Sequence, residues 1–442
     1  MSEGIKEIRL GLFMRPVGHH IAGWRHPNSA ADQSLTLPHL TDLALTAETA
    51  GFDFLFLADS LGLRQADRIQ LSRTARYVSQ FEPLTLLAAL SGSTENIGLI
   101  ATVSTSYNEP YHIARKVASL DHLSNGRSGC NLVTSYYDHE AANFGDASLA
   151  DHATRYERAD EFARVLMKLW DSWEDNAFIY DKVGGVYFDP EKLHDTDHRG
   201  KHFRVQGPLN IARPPQHRPV IVLSGGSPAA VSLAGQCSDI VFTAQSGIDG
   251  GRLFYREIKD SALAAGRDPD RIKIMPGLMP IVGTSRSEAE EKLAELQSLV
   301  APEVAISLLA ELLGGMDLSH YPLDGPPPEP TATNASKSRP QLLLESSRAA
   351  GFTLRQLALH TSLARGHLLA VGTPADIVDV MVEWVDTLAA DGFNVMPAHF
   401  PDGLTDFARL VIPELYKRNR LAAKQEGRTL REKLSLDPHA CT

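Results

Sequence analysis

Residues 97–137 read IGLIATVSTSYNEPYHIARKVASLDHLSNGRSGCNLVTSYY. An apolar run, Ile97 to Ala101, passes into a hydroxyl cluster of Thr102, Ser104, Thr105 and Ser106. The spacing then predicts a helix from Pro110 to Leu123, a turn at Asn125-Gly126-Arg127, and a second strand ending in Asn131, Thr134 and Ser135. Together these make one β–α–β unit with polar side chains gathered where both strands end. Parallel α/β folds carry their chemistry at that edge.

The same alternation runs outward in both directions. Toward the N-terminus, Ile8–Met14 reads as a strand. Leu37–Gly51 reads as a helix, with Leu40, Leu43, Ala44 and Ala47 on one face and a closing Gly51. Phe52–Ala58 is a buried parallel strand tipped by Asp59-Ser60, and Pro83–Glu95 is a helix with proline first. Toward the C-terminus come a helix at Asp151–Trp173 and a strand at Val220–Ser224, followed by Gly225-Gly226-Ser227-Pro228 and a helix. Asp239–Thr243, Ile272–Val282 (interrupted at Pro276-Gly277) and Phe393–Pro397 are further strands. Helices are expected at Asp249–Gly266, at Ser287–Leu313 with a break at Pro302, from Thr373-Pro374 to Asp391-Gly392, and at Thr405–Tyr416.

Eight strands, each followed by a helix, predict a (β/α)8 TIM barrel: a single α/β domain over residues 1–442. A doubly wound open sheet is the alternative, but no G-x-G-x-x-G turn follows the first strand. Two insertions break the rhythm. Residues 174–207 are rich in Asp, Gly, His and aromatics and predict a hairpin-bearing excursion. Residues 314–365 open with an extended loop, Gly314–Pro340, containing LDGPPPEPTATNASKSRP; helix follows over Gln341–Arg365. The loop is expected to lie over the barrel mouth as a lid. The charged tail from about Leu421 is expected to wrap a neighbouring surface or to be partly disordered.

Lys plus Arg is 43 against 54 for Asp plus Glu, a formal net charge of −11. That balance argues against a nucleic-acid partner, which needs a basic face. The three cysteines, Cys130, Cys237 and Cys441, are scattered and suggest neither a disulfide framework nor a zinc knuckle. No run has the length of a signal peptide core or a membrane span, so a cytoplasmic enzyme is the expectation.

Several strand ends carry chemistry, each with two readings. Asp59 is a carboxylate on the catalytic face of a barrel, or a partner for a local amide. Thr102, Asn131, Thr134 and Ser135 suit the carbonyls and ring nitrogens of a heteroaromatic cofactor, or they satisfy turns. Ser224-Gly225-Gly226-Ser227 before a helix is a phosphate cradle, or a plain capped turn. His152, Arg155 and Tyr156 open a helix that Asp151 caps; they close over a phosphate or aromatic ring, or form a solvated first turn. His19 and His20 are adjacent, so they point opposite ways in an extended chain, and no matching ligand set recurs at later strand ends. A metal is therefore not expected, and the Trp24-Arg25-His26 loop suits enclosure of a substrate or flavin.

The segments GHHIAGWRHP, FLFLADS, EPLTLLAALSGSTENIGL, STSYNEPYHIARKVASLDHLSNGRSG, NLVTS, RYERADEF, KLWDSWED, GKHFRVQGPLN, GTPADIVD and DGFNV occur in this order. They resemble the nitrilotriacetate monooxygenase group of the bacterial-luciferase-like flavin monooxygenases. That group includes dibenzothiophene-sulfone, long-chain alkane, EDTA and pristinamycin-type enzymes. The resemblance spans about residues 5 to 420. It implies a luciferase-like barrel that takes FMN as FMNH2 from a separate NAD(P)H:flavin reductase. O2 then adds to give a C4a-peroxyflavin that oxygenates a small aminopolycarboxylate, sulfur-containing or xenobiotic substrate. It further implies flavin contacts at Asp59, Thr102, His152, Tyr156 and Ser227, with Asn131 and Thr134 near the ring or ribityl chain. Ser227, the helix amides after it and Tyr156 would hold the phosphate.

His20 and His152 are the candidate proton donors, and a homodimer or homotetramer is the family expectation. Two departures stand out. Cys130 replaces a tryptophan of many relatives and is expected to widen the core or pocket. Gly226-Ser227 replaces two serines and is expected to weaken FMN binding. A flavin-binding barrel without oxygenase activity and a deazaflavin-dependent oxidoreductase are the alternative functions. Arg25 and the insertions point to an anionic or sulfur-containing substrate.

Overall fold

The computed structural model describes residues 5–63, 68–329, 338–421 and 427–436. Its strands are β1 (Arg9–Phe13), β2 (Phe54–Leu57), β3 (Gly98–Ser104), β4 (Ser128–Val133), β5 (Phe178–Asp181), β6 (Val186–Phe188), β7 (His198–Arg199), β8 (Arg204–Val205), β9 (Val220–Ser224), β10 (Ile240–Thr243), β11 (Lys273–Val282), β12 (Leu368–Gly372) and β13 (Gly392–Val395). Eight of them pair in parallel around a closed ring, β1-β2-β3-β4-β9-β10-β11-β13 and back to β1. Closure abolishes the unpaired edges that an open sheet would leave.

The ring forms because its strands are apolar on both faces. Phe54, Phe56, Ile100, Val220, Val222, Ile240 and Met275 point into the barrel. Their sequence neighbours Leu55, Leu57, Leu99, Ala101, Ile221, Leu223 and Val241 point outward against the helices. A strand's two-residue period divides each apolar run between these layers. Burying a leucine or phenylalanine fully is worth about 1.5–3 kcal/mol.

Three readings need correction. Pro276-Gly277 does not interrupt β11: Pro276 pairs with Thr243, and Gly277 with Asn394. Glycine is required there, because a Cβ would collide with His367 and Met396. Second, a ninth strand, β12, pairs with Leu278–Val282 of the same long strand. It lies between the helix Leu354–Ala364 and the helix Pro374–Asp386, in a stretch to which no strand was assigned.

Third, the described tail residues 427–436 insert into the end of the barrel rather than lying across its surface. Leu430, Leu434 and Leu436 are buried in the inner barrel layer. Leu430 N donates to Gly126 O, and Arg431 forks onto Asp239 at 2.8 and 2.7 Å. Gly126 and Asp239 precede their strands, so this segment closes the N-terminal end of the barrel and leaves the polar end open.

The break at Pro302 is present: helices Arg286–Ser298 and Pro302–Leu312 meet at 89°. The first insertion carries two small hairpins, β5-β6 and β7-β8. Residues 330–337 of the expected lid, and 422–426 and 437–442 of the tail, lie outside the described residues. Among the described residues, no single helix is long and apolar enough to cross a membrane.

Candidate functional site

A cavity of about 540 Å³ opens at the C-terminal ends of the barrel strands. Its wall is a hydrogen-bonded row across three neighbouring strands. Asn131 Nδ2 donates to Thr102 Oγ1 at 3.0 Å, and Ser224 Oγ donates to Asn131 Oδ1 at 2.9 Å. The row exists because β3 and β4 place Thr102 opposite Asn131, and Asn131 is inside β4 rather than at its end. Thr134, the first residue after β4, also lines the cavity. Ser104 and Ser135 meet at 2.9 Å and tie the two strand ends together.

The floor is aromatic. Phe13, Phe56 and Phe242 pack against one another with centroids 5.1 to 5.6 Å apart, and His367 stacks on Phe242 at 5.4 Å. A flat heterocycle can lie on such a floor and present its polar edge to the Thr102–Asn131–Ser224 row.

One end of the cavity has the features of an anion cradle. Ser227 caps the helix Pro228–Cys237, its Oγ accepting from Ala230 N at 3.2 Å. The amides of Gly226 and Ser227 donate to no backbone carbonyl among the described residues. Gly225 has φ +142°, and a Cβ there would lie 3.3 Å from Tyr156 Oη. Tyr156 and His152 stand one turn apart on the helix His152–Trp170, with ring centroids 4.6 Å apart. Asp151 caps that helix by accepting from Thr154 N at 3.0 Å, and Arg155 anchors its start by donating to Ala150 O. Free amides at a helix N-terminus beside hydroxyls suit a phosphate. Apolar floor, polar row and cradle together fit FMN.

Asp59 also lines the cavity. Its Oδ1 accepts from Ser60 N at 2.8 Å and Gln80 Nε2 at 3.3 Å. Burial, reinforced by repulsion from Glu82 and Glu140, pushes its carboxyl up to about 6.

The structure therefore gathers Asp59, Thr102, Asn131, Thr134, His152, Tyr156 and Ser227 on one cavity. His20 is not among them. It is buried behind the wall, its Nδ1 accepting from Ala22 N at 3.2 Å, and burial pulls its imidazole down to about 4. The adjacent His19 does point the other way, with Nε2 2.7 Å from Phe13 O and Nδ1 2.9 Å from Arg365 Nη2. Arg25 is exposed and donates to Leu299 O, away from the cavity. Cys130 packs in the layer between strands and helices, so its small size does not widen the pocket.

Sequence reading missed a further part of the lining, to which Arg76, Tyr77, Tyr137, Glu311, Arg365 and His367 contribute. No motif marks these residues. The only signal was their position in long segments after strands.

The family model described as luciferase-like monooxygenase matches residues 17–391. The chain is 46% identical to N-acetyl-S-(2-succino)cysteine monooxygenase of Bacillus subtilis (strain 168), over 99% of this chain and 98% of that protein. It is 42% identical to nitrilotriacetate monooxygenase component A of Aminobacter aminovorans, over 98% of this chain and 97% of that protein. Among solved structures, a riboflavin lyase with modified FMN and substrate riboflavin superposes with a TM-score of 0.88 at 34% identity, covering 97% of this chain and 96% of that one.

Proposed function

This chain belongs to the luciferase-like monooxygenase family, and from that premise we propose that it is the oxygenating component of a two-component FMN system acting on a small carboxylate-bearing molecule. A separate NAD(P)H:flavin reductase supplies the FMN already reduced. Bound reduced FMN supplies the electrons that send one atom of O2 to water and the other to the substrate.

The observation that carries this reading is the Thr102–Asn131–Ser224 row set above an aromatic floor. The row holds the polar edge of the isoalloxazine ring. Ser227, Tyr156, His152 and the amides of Gly226 and Ser227 hold the phosphate. Phe13, Phe56 and Phe242 would pack against the ring and exclude water from the face that lies on them. Of the two proton-donor candidates only His152 borders the cavity, and it does so at the cradle end. We assign it to cofactor binding.

The test couples the purified chain to a flavin reductase with FMN, NADH and O2. Substrates would be N-acetyl-S-(2-succino)cysteine and nitrilotriacetate. The expected result is substrate-dependent O2 uptake and a product bearing one added oxygen atom. FMN binding with only peroxide release across the panel would point to a flavin carrier. Preference for a deazaflavin over FMN would point to an oxidoreductase of that class.

A further inference from the structure

Arg76 sits in the segment after β2, at 9% exposure, and borders the cavity. Its Nη1 donates to Glu311 Oε2 at 2.8 Å, and Tyr137 Oη donates to Glu311 Oε1 at 2.6 Å. Glu311 is thus a bracket that holds the guanidinium in place from the helix Pro302–Leu312. The Nε of Arg76 is buried and has no hydrogen-bond partner among the described residues. A guanidinium fixed on one side by a carboxylate has its remaining N–H donors set in a fork, a geometry that suits a planar acceptor such as a carboxylate.

Two further guanidinium groups lie close to it. Arg76 lies 5.5 Å from the Tyr77 ring centroid and Arg15 lies over the same ring at 4.3 Å. Arg15, Arg76 and Arg365 converge on one small void beside His19 and His20, and Arg76 and Arg365 also border the main cavity. After burial, repulsion from Arg365 and Arg15 is what depresses the His19 imidazole. Of the carboxylates that line the cavity, Glu311 is engaged by Arg76 and Tyr137, and Glu140 accepts from Ser60 Oγ and Leu61 N at 3.2 Å.

We propose that Arg76 anchors a carboxylate of the substrate, with Arg365 adding to the field, so that the site selects carboxylate-bearing molecules over neutral ones. This rests on the monooxygenase reading above. It deepens that reading by naming a residue that decides specificity.

The probes are N-acetyl-S-(2-succino)cysteine and its fully methylated, uncharged ester, titrated calorimetrically into the FMN-loaded protein. Wild type should bind the acid well and the ester poorly. Arg76→Met should weaken acid binding by roughly 100-fold, the scale for truncating a buried charge pair. Arg76→Lys should recover part of it, and Glu311→Gln should weaken it less than Arg76→Met. The FMN dissociation constant should stay unchanged in every variant, which shows that each is folded.

Equal binding of acid and ester by wild type, or unchanged acid binding in Arg76→Met, overturns the anchor. If the ester is then oxygenated in the reductase-coupled assay, the monooxygenase reading survives that loss. If no probe is oxygenated, that reading falls, while acid-selective binding that depends on Arg76 still upholds the anchor.

Discussion

Asn131 and Thr102 stand directly opposite each other across β4 and β3, and the Asn131 amide donates to the Thr102 hydroxyl at 3.0 Å. Its carbonyl meanwhile accepts from Ser224, so one side chain organises polar groups on both neighbouring strands. Replacing Asn131 by leucine strips both hydroxyls of their partner. The penalty for unsatisfied buried groups is about 1–3 kcal/mol. FMN affinity should fall on the order of 10-fold, read by quenching of flavin fluorescence. The Thr102→Ala and Asn131→Leu pair should be less than additive, since both act on one row. Full additivity would show that the row does not work as a unit.

Ser227 has two duties in this reading, and they separate by ligand. As the cap of Pro228–Cys237 it contributes about 1 kcal/mol to the helix. As part of the cradle it contacts phosphate. Ser227→Ala should therefore weaken FMN binding while leaving riboflavin, which lacks the phosphate, nearly unaffected. A parallel loss for both ligands would place the effect in the helix alone.

Asp59 predicts a pH-dependent stability difference. Burial, aided by Glu82 and Glu140, raises its carboxyl from 3.8 to about 6. The folded state thus holds this proton more tightly than the unfolded chain does. The stability it contributes is complete below about pH 4 and is lost as pH rises through about 6. Asp59→Asn keeps a neutral acceptor throughout. Its advantage over wild type should be near zero at about pH 4 and on the order of 1–2 kcal/mol at about pH 8. Denaturant melts across that range would show it, and a flat difference would refute the buried-carboxylate account.

His20 predicts the opposite slope. Burial lowers its imidazole from 6.5 to about 4, so the folded state resists taking a proton that the unfolded chain accepts. The stability tied to neutral His20 is present above about pH 6.5 and drains away as pH falls toward about 4. His20→Gln should show a smaller stability loss on acidification than wild type. The pH profile of oxygenation should keep its limbs in that variant, since His20 does not border the cavity. Loss of a limb would restore His20 as a proton donor.

The closing tail should be needed for stability. Asp239 accepts a fork from Arg431 and also accepts from Ile221 N at 2.8 Å. Arg431→Ala leaves that carboxylate buried without its cation, a change that typically costs about 3–5 kcal/mol. Thermal melts should show a large drop, with FMN affinity at permissive temperature close to wild type. A melt within about a degree of wild type would mean that the Arg431–Asp239 pair adds little net stability, as some buried ion pairs do.

Local pattern carried most of the barrel. Pro110–Leu123 and Val220–Ser224 begin and end where proline, caps and apolar spacing place them. The pattern failed where a partner decides the outcome. β12 is five residues with alternate positions half-buried, and it is a strand because β11 runs on past the ring to meet it. The tail read as a charged segment that wraps a surface or is partly disordered, yet Leu430, Leu434 and Leu436 fill the barrel end while Arg431 reaches the buried Asp239 and Lys433 the carbonyl of Asn96.

The site divides along the same line. Asp59 and Ser227 were legible because each lies just past a strand end, and Thr102 and Asn131 because they are polar residues within the C-terminal halves of apolar strands, which parallel pairing sends to one rim. Arg76, Tyr137 and Glu311 were not: Glu311 lies 235 positions from Arg76 and 174 from Tyr137. The amino-acid order by itself determined a two-faced parallel barrel and the polar row at its open end, because both follow from short-range periodicity. Only the tertiary structure decided what else lines the cavity. Its groups come from the segments after β2 and β4 and from the helix Pro302–Leu312, and a guanidinium, a carboxylate and a phenol so far apart in the chain meet only when packing brings those segments together.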